Sequence, residues 1–259
     1  MDTFLFDKIV FGPVFSRRLG VSLGINLLPT DCKICNFNCV YCECGWNIKE
    51  EMKKHKLPSR YDVFQSLENK LEEMLETDAK LDVITFAGNG EPTIHPEFAN
   101  IIEDTIKLRD EYFPAAKISV LSNATMLHKK EVINSLLKID QNILKLDSAV
   151  PATIQLLNQP VKPINLEQLI SDFKKFNGRL IIQTLFTKGD KDGVRIDNTN
   201  DAELTAWEEI IGEIAPSMVM IYTIDRNTPL SGLKKIPLNE LNAIAARIQK
   251  RGIEVQVSG

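Results

Sequence analysis

The chain has 259 residues, 44% hydrophobic and 25% charged, which is enough apolar material for a substantial core within one large domain, residues 1–259. Its 31 basic and 35 acidic side chains give a formal charge of -4, so no whole-molecule field draws it onto nucleic acid or an anionic bilayer. No run approaches the roughly 18 to 20 apolar residues of a membrane span, and residues 1–8 lack the basic and then apolar layout of a secretory signal; a cytoplasmic protein with no membrane partner is expected.

In chain order, Ser16-Arg-Arg-Leu-Gly20 precedes the first predicted strand, residues 21–28. Arg17 and Arg18 there, like Arg226 later, could reach an anionic substrate or form surface ion pairs. A loop over residues 30–46 then carries all five cysteines. Lys49, Lys53, Lys54, His55, Lys56 and Arg60, interrupted by Glu50 and Glu51, read as a solvated linker. Val63, Phe64, Leu67, Leu71, Met74 and Leu75 recur at three- and four-residue intervals and predict a helix. The strand at 81–87 ends in Thr85-Phe-Ala-Gly-Asn-Gly-Glu-Pro-Thr93, which turns into a helix near Pro96.

Strands at 117–121 and 142–146 follow, and the first ends at Ser122 and Asn123. Around the second, side-chain alternation puts Lys145 and Asp147 on one face and Leu144 and Leu146 on the other. Leu166, Leu169, Ile170 and Phe173 predict a helix with Asn165 as its N-cap. The strand at 179–186 carries Gln183, and the polar, glycine-bearing residues 188–201 read as a substrate loop or lid. A strand at 217–224 leads through Thr223 to Asp225 and Arg226; Pro237 and Gly252 bound the last helix, and residues 253–257 form the last strand.

Short β-branched runs alternating with amphipathic segments are the pattern of repeated βα units around a parallel sheet. Periodicity leaves a partial barrel and an open doubly wound sheet both open, and in either the ligands sit at the carboxyl ends of the strands.

Cys32, Cys35, Cys39, Cys42 and Cys44 lie close together, whereas a disulfide framework would spread them; an odd, crowded set points to a metal or redox site in a reducing compartment. Cys35, Cys39 and Cys42 have CxxxCxxC spacing. Three thiolates hold three irons of a cubane and leave the fourth iron open for a substrate or cofactor. Zinc ribbons separate their CxxC pairs by about 15 to 20 residues, far more than the gap between Cys35 and Cys39. A bacterial ferredoxin run orders its spacings differently and ends in proline, where Gly45 and Trp46 follow here. Cys32 and Cys44 fall outside the motif and read as ordinary thiols; none remains elsewhere for an auxiliary cluster. His55, His95 and His128 read as caps or surface residues.

With Tyr41 just before its third cysteine, this motif resembles the signature of the radical S-adenosylmethionine (SAM) superfamily. The resemblance implies a partial (β/α)6-type TIM barrel with the cluster loop after the first strand. It also implies a [4Fe-4S] cluster on Cys35, Cys39 and Cys42, with S-adenosyl-L-methionine as second cofactor. The turn at Gly88-Asn-Gly-Glu-Pro92 resembles the family's GGEP motif, so Gly90 and Glu91 inherit its contact to the methionine amino group; Asn89 replaces the first glycine, a change the turn is expected to survive since asparagine tolerates left-handed backbone better than most residues. Following the barrel order, Asn123, Asp147 and Gln183 are further cofactor candidates, Asp147 for a ribose hydroxyl, and Tyr41 flanks the cluster.

Within the superfamily, Ser16-Arg-Arg-Leu-Gly20 and Gly-Glu-Pro-Thr resemble uncharacterised iron-sulfur oxidoreductases akin to the tRNA wyosine-synthesis enzymes (4-demethylwyosine synthase-like), although Phe15 stands where that group has proline. The wyosine enzymes also carry extra cysteines or a flavodoxin domain, and this sequence has neither. The implied activity is hydrogen abstraction by a 5'-deoxyadenosyl radical from RNA, a protein or a small molecule, with RNA modification first. A glycyl-radical activase or a peptide-modifying enzyme is the alternative, and outside the superfamily an iron-sulfur electron carrier or a zinc-binding module. The enzyme readings require a low-potential electron donor such as flavodoxin or ferredoxin.

Overall fold

A computed structural model of the chain describes residues 4–16, 18–48 and 55–259; Arg17, Lys49, Glu50, Glu51, Lys53 and Lys54 lie outside the described residues. The main sheet has eight strands: β1 (Val10–Ser16), β2 (Gly20–Ile25), β3 (Val83–Phe86), β4 (Lys117–Ser122), β5 (Gln141–Lys145), β6 (Ile181–Phe186), β9 (Met218–Thr223) and β10 (Glu254–Ser258), hydrogen-bonded in that order. From β2 to β10 every pairing is parallel, and only β1 runs antiparallel to its neighbour. The sheet curls into a half-barrel, the partial TIM barrel expected. All seven predicted strands are present; the cluster loop follows the first parallel strand, which is second in chain order because β1 precedes it.

Helices α1 (Arg60–Glu76), α2 (Phe98–Tyr112), α3 (Lys130–Leu136), α4 (Pro151–Asn158), α5 (Leu166–Lys174), α6 (Asp201–Ile214) and α7 (Leu238–Gln249) connect the strands. α1 shows how sequence sets such a helix: Ser59 and Asp62 form a reciprocal capping box, and Val63, Leu67, Leu71 and Met74 make the buried stripe. Leu75 lies off that stripe and is 49% exposed. Asn165 caps α5 by accepting the Gln168 N–H, as its position predicts.

Strand alternation divides the molecule into two layers. Leu144, Leu146, Ile182, Val219 and Ile221 join the outer core against the helices, with Leu67, Trp207 and Leu241. Ile143, Ile181 and Met220 point the other way and form a small apolar floor with Leu19 and Leu121. Lys145, Gln183 and Tyr222 are two residues farther along the same strands, so the alternation that buries the outer face also carries these polar groups into the half-barrel. Residues 181–186 are buried throughout, because both faces of β6 are covered.

The loop expected at 188–201 is instead a folded hairpin of β7 (Lys188–Lys191) and β8 (Val194–Asp197). Asn198 donates to Asp147 O and Leu185 O and accepts the Thr187 N–H, Ile196 is buried in a cluster with Val40 and Leu157, and Asn200 caps α6. That anchoring fixes the base of the hairpin against the barrel.

Candidate active site

The cysteine loop leaves the carboxyl end of β2 and is tied down on two sides. Toward β3, Ile34 N–H donates to Asn89 O at 2.9 Å and Glu91 N–H donates to Ile34 O at 3.2 Å. Toward α4, Val40 N–H donates to Leu157 O at 2.9 Å. Inside the loop, the Asn47 amide donates to Cys35 O and Phe37 O, and Asn47 N–H donates to the Asn38 side chain. Two glycines make the first seam: a Cβ on Gly90, whose φ is +137°, would lie 1.8 Å from Ile34 O, and one on Gly88 would lie 2.4 Å from Asn26 Oδ1.

Asn89 is absent from the positive-φ residues, so left-handed backbone does not explain the residue. Its buried side chain donates to Phe6 O and Pro29 O and accepts the Phe6 N–H, and thereby staples the amino-terminal segment to the turn.

Cys35, Cys39 and Cys42 all line one cavity of about 680 Å³ at the carboxyl ends of the strands. Tyr41, Gly90, Glu91, Asn123 and Gln183 share its wall; Asp147 does not. The Asp147 carboxylate sits behind the wall, where it accepts from the Tyr41 hydroxyl, the Asn158 amide at 2.6 Å and Leu185 N–H at 2.9 Å, with Lys145 Nζ 3.7 Å away. Alternation put Lys145 and Asp147 on one face as expected, but Lys145 is the one that reaches the cavity.

The thiols fit a cluster by their surroundings. Phe37 N–H and the Asn123 amide point at Cys35 Sγ, at 3.4 and 3.5 Å, and the Asn158 amide points at Cys39 Sγ at 3.5 Å. Such hydrogen bonds stabilise thiolate ligands and tune cluster potential. Lys33 is buried and donates to Gly45 O at 2.9 Å; burial lowers its pKa, but the neighbouring Cys42, Cys35 and Cys39 sulfurs outweigh that and raise it. In the free protein, burial pushes the Cys35 and Cys39 thiols up, whereas a hydrogen bond with the Cys44 thiol pulls Cys42 down.

Glu91 is 2% exposed, and burial raises its carboxyl despite donors from Asn123 N–H at 2.6 Å, the Thr93 hydroxyl and N–H, and the Ser122 hydroxyl at 2.8 Å. It therefore locks the Gly-Glu-Pro turn to the end of β4. Thr223 accepts the Ile236 N–H, Asp225 pairs with Lys235, and Arg226 reaches Glu43 of the cysteine loop at 2.7 Å. His95 accepts the Glu97 N–H just before α2, and His128 is exposed. His55 pairs with Asp31 at 2.9 Å beside Cys32, whose thiol burial pushes up to about 11.

Lys33, Asn158 and Tyr222 are site residues that sequence reasoning missed. Tyr222 was accessible from strand alternation, whereas Lys33 and Asn158 reach the site through loop and helix-end geometry that no local spacing announces.

Residues 31–177 match the radical SAM superfamily. The chain belongs to that superfamily. It is 34% identical over 181 residues to the UPF0026 protein MJ1312 of Methanocaldococcus jannaschii, covering 68% of this chain and 53% of that protein. It is 32% identical over 225 residues to a Brachyspira hyodysenteriae protein named GTPase Obg, covering 85% of this chain and 30% of that protein. The chain thus spans about half or less of these two relatives. Among solved structures, a radical SAM methyltransferase from Sphaerobacter thermophilus superposes with a TM-score of 0.67 at 14% identity, covering 92% of this chain and 65% of that one. Archaeal TYW1 superposes at 0.54 with 12% identity, covering 89% and 72%. At these identities the structural likenesses establish the radical SAM half-barrel. Among the described residues no helix is long and apolar enough to cross a membrane.

Proposed function

We propose that this chain cleaves S-adenosylmethionine reductively and uses the product radical to take a hydrogen atom from a substrate held in the half-barrel. The observation that carries this is the convergence of Cys35, Cys39 and Cys42 on one cavity that the Gly88–Pro92 turn also lines. Cys35, Cys39 and Cys42 would hold a [4Fe-4S] cluster, which would supply the single electron needed to cleave the cofactor's sulfonium into methionine and a 5'-deoxyadenosyl radical.

The chain's own groups have separable roles in this reading. Gly90 and Glu91 present the turn to the cofactor's amino group, and the absence of a side chain at Gly90 lets the turn lie against Ile34. Asn123 touches Cys35 and lines the cavity, so it can bridge cluster and cofactor, and Gln183 offers an amide from β6. Tyr41 packs against the ligand site with its hydroxyl fixed by Asp147, which makes Asp147 a positioning residue. A low-potential donor such as flavodoxin or ferredoxin would deliver the electron in the cytoplasm.

The test is anaerobic: reconstitute the cluster, add S-adenosylmethionine and dithionite, and quantify 5'-deoxyadenosine from wild type and Cys39→Ala. Product from wild type alone supports the reading. A fully loaded wild-type cluster that binds the cofactor and gives no product in cell-extract substrate pools overturns it in favour of an electron carrier.

A further inference from the structure

The cavity is lined by a cation to which the proposed function gives no role. Arg18 lies in the turn between β1 and β2, and its side chain reaches across the half-barrel until Cζ is 4.9 Å from the centroid of the Tyr222 ring. Its Nη1 is closed off from solvent and has no hydrogen-bond partner among the described residues. Lining cations around it are engaged: Lys33 with Gly45 O, Lys145 with Asp147 and the Tyr222 hydroxyl, and Arg226 with Glu43. Arg18 lines the cavity and makes no ion pair with a described residue, and with Nη1 buried it is the rest of the guanidinium that meets an occupant, in a wall that also carries Glu43, Glu91 and Asp225.

The surroundings say what an occupant would look like. Lys145 stands 5.2 Å from the Tyr41 ring and 5.8 Å from the Tyr222 ring, so Tyr41, Lys145, Tyr222 and Arg18 follow one another away from the cluster loop. The Tyr222 hydroxyl accepts from Lys145 at 3.3 Å and keeps its own proton to donate. Beneath lies the apolar floor of Leu19, Ile143, Ile181 and Met220. A guanidinium with unused N–H groups and a phenol O–H next to it make a pair of donors suited to an oxyanion.

We infer that Arg18 and Tyr222 bind an oxyanion of the substrate, a carboxylate or a phosphate, with the adjoining apolar part on the floor. This rests on reading the cavity as the radical enzyme's active site. Arg18 is then a specificity-determining residue: it fixes one end of the substrate and so selects which carbon faces the cofactor.

The test uses the reconstituted holoenzyme with S-adenosylmethionine, with orthophosphate and acetate as separate probes titrated by calorimetry into wild type, Arg18→Gln and Arg18→Lys. Wild type is expected to bind at least one probe; Arg18→Gln should weaken that binding tenfold or more, and Arg18→Lys by less. The tighter probe distinguishes phosphate from carboxylate. Cofactor affinity, measured in the same samples, should stay within twofold and also reports that the variants fold. Equal probe binding by wild type and Arg18→Gln, or no binding by wild type, overturns the inference. So does a tenfold loss of cofactor affinity in a folded Arg18→Gln protein, which would assign Arg18 to the cofactor. If wild type binds a probe through Arg18 but never binds S-adenosylmethionine, the anion site stands and the radical reading fails.

Discussion

Gly90→Ala tests the seam between the cysteine loop and the Gly-Glu-Pro turn. The new Cβ would sit 1.8 Å from Ile34 O and 2.7 Å from Leu28 Cδ1, and Gly90 already has a φ of +137°, which L side chains rarely adopt. Ile34 O is backbone, so relief requires the loop itself to withdraw. Withdrawal breaks the Ile34 N–H to Asn89 O and Glu91 N–H to Ile34 O bonds, at ~0.5–1.5 kcal/mol each, and the strained backbone adds about 1–3 kcal/mol. The local cost is therefore about 2–6 kcal/mol, borne by the loop that carries the ligands.

Because the outer core lies on the other face of the sheet, the barrel should survive while the ligand loop loosens. Iron and sulfide per chain after anaerobic reconstitution, cofactor affinity and the far-ultraviolet melting curve together read this out. Gly90→Ala should lose most of its bound iron and at least tenfold in cofactor affinity while keeping wild-type secondary structure. A variant that loads a full cluster and binds the cofactor like wild type would refute the claim that this contact holds the site together.

Leu67→Ala, at a fully buried position of α1, should cost about 2–5 kcal/mol in urea unfolding while activity per folded molecule stays unchanged; a cost near zero would contradict the packing described. Lys33→Met removes the buried ammonium beside the thiols. Its positive charge favours the reduced, more negative cluster, so the cluster potential should fall in an EPR-monitored titration, and an unchanged potential would refute the role given to Lys33. Asp82 accepts the Val21 N–H at 2.8 Å and pairs with Lys80, which hold its carboxyl below 3.8. A depressed acid contributes stability above its unfolded pKa and loses it as pH falls through the folded value. Asp82→Asn should therefore destabilise at pH 7 and lose that effect near pH 2; equal costs at both pH values would contradict the sign.

The parallel strands were legible because each is a short β-branched run whose outer face is buried by a helix. β1 was not: Val10–Ser16 is largely exposed, contains Pro13 and shifts register between Phe11 and Val14, so it has no alternation to detect. The β7–β8 hairpin was missed for a related reason, since its polar residues are held by Asn198 and the buried Ile196 rather than by a periodic apolar face. At the site, motif spacing located the thiols and the glycine turn because both are local. Asp147 shows the limit of alternation, which assigns a face but not whether a side chain ends at the cavity or behind it. Asn89 shows the limit of a conformational argument, since its side-chain bonds to Phe6 and Pro29 explain the residue and its backbone angle does not.

The placement of charge in the half-barrel follows from that same geometry. Lys145 and Asp147 are two residues apart, so they share a face, and the half-step of depth between them puts the carboxylate behind Tyr41 and the ammonium in front. Burial alone would lower Lys145, but Asp147, then Tyr222 and Cys39, raise it, so it remains a cation facing the cavity. A raised lysine keeps that contribution below its unfolded pKa and loses it only as pH rises through the folded value, in the strongly alkaline range. Asp147→Asn removes the counter-ion and leaves a buried, less compensated ammonium, for which breaking a buried pair typically costs about 3–5 kcal/mol. If Asp147 acts on the site only through Tyr41 and Lys145, the variant should lose stability and release Lys145 at lower pH, and the double variant Lys145→Met, Asp147→Asn should recover much of the loss. Additive losses in the double variant, measured by urea unfolding at pH 7, would show that the two residues act independently.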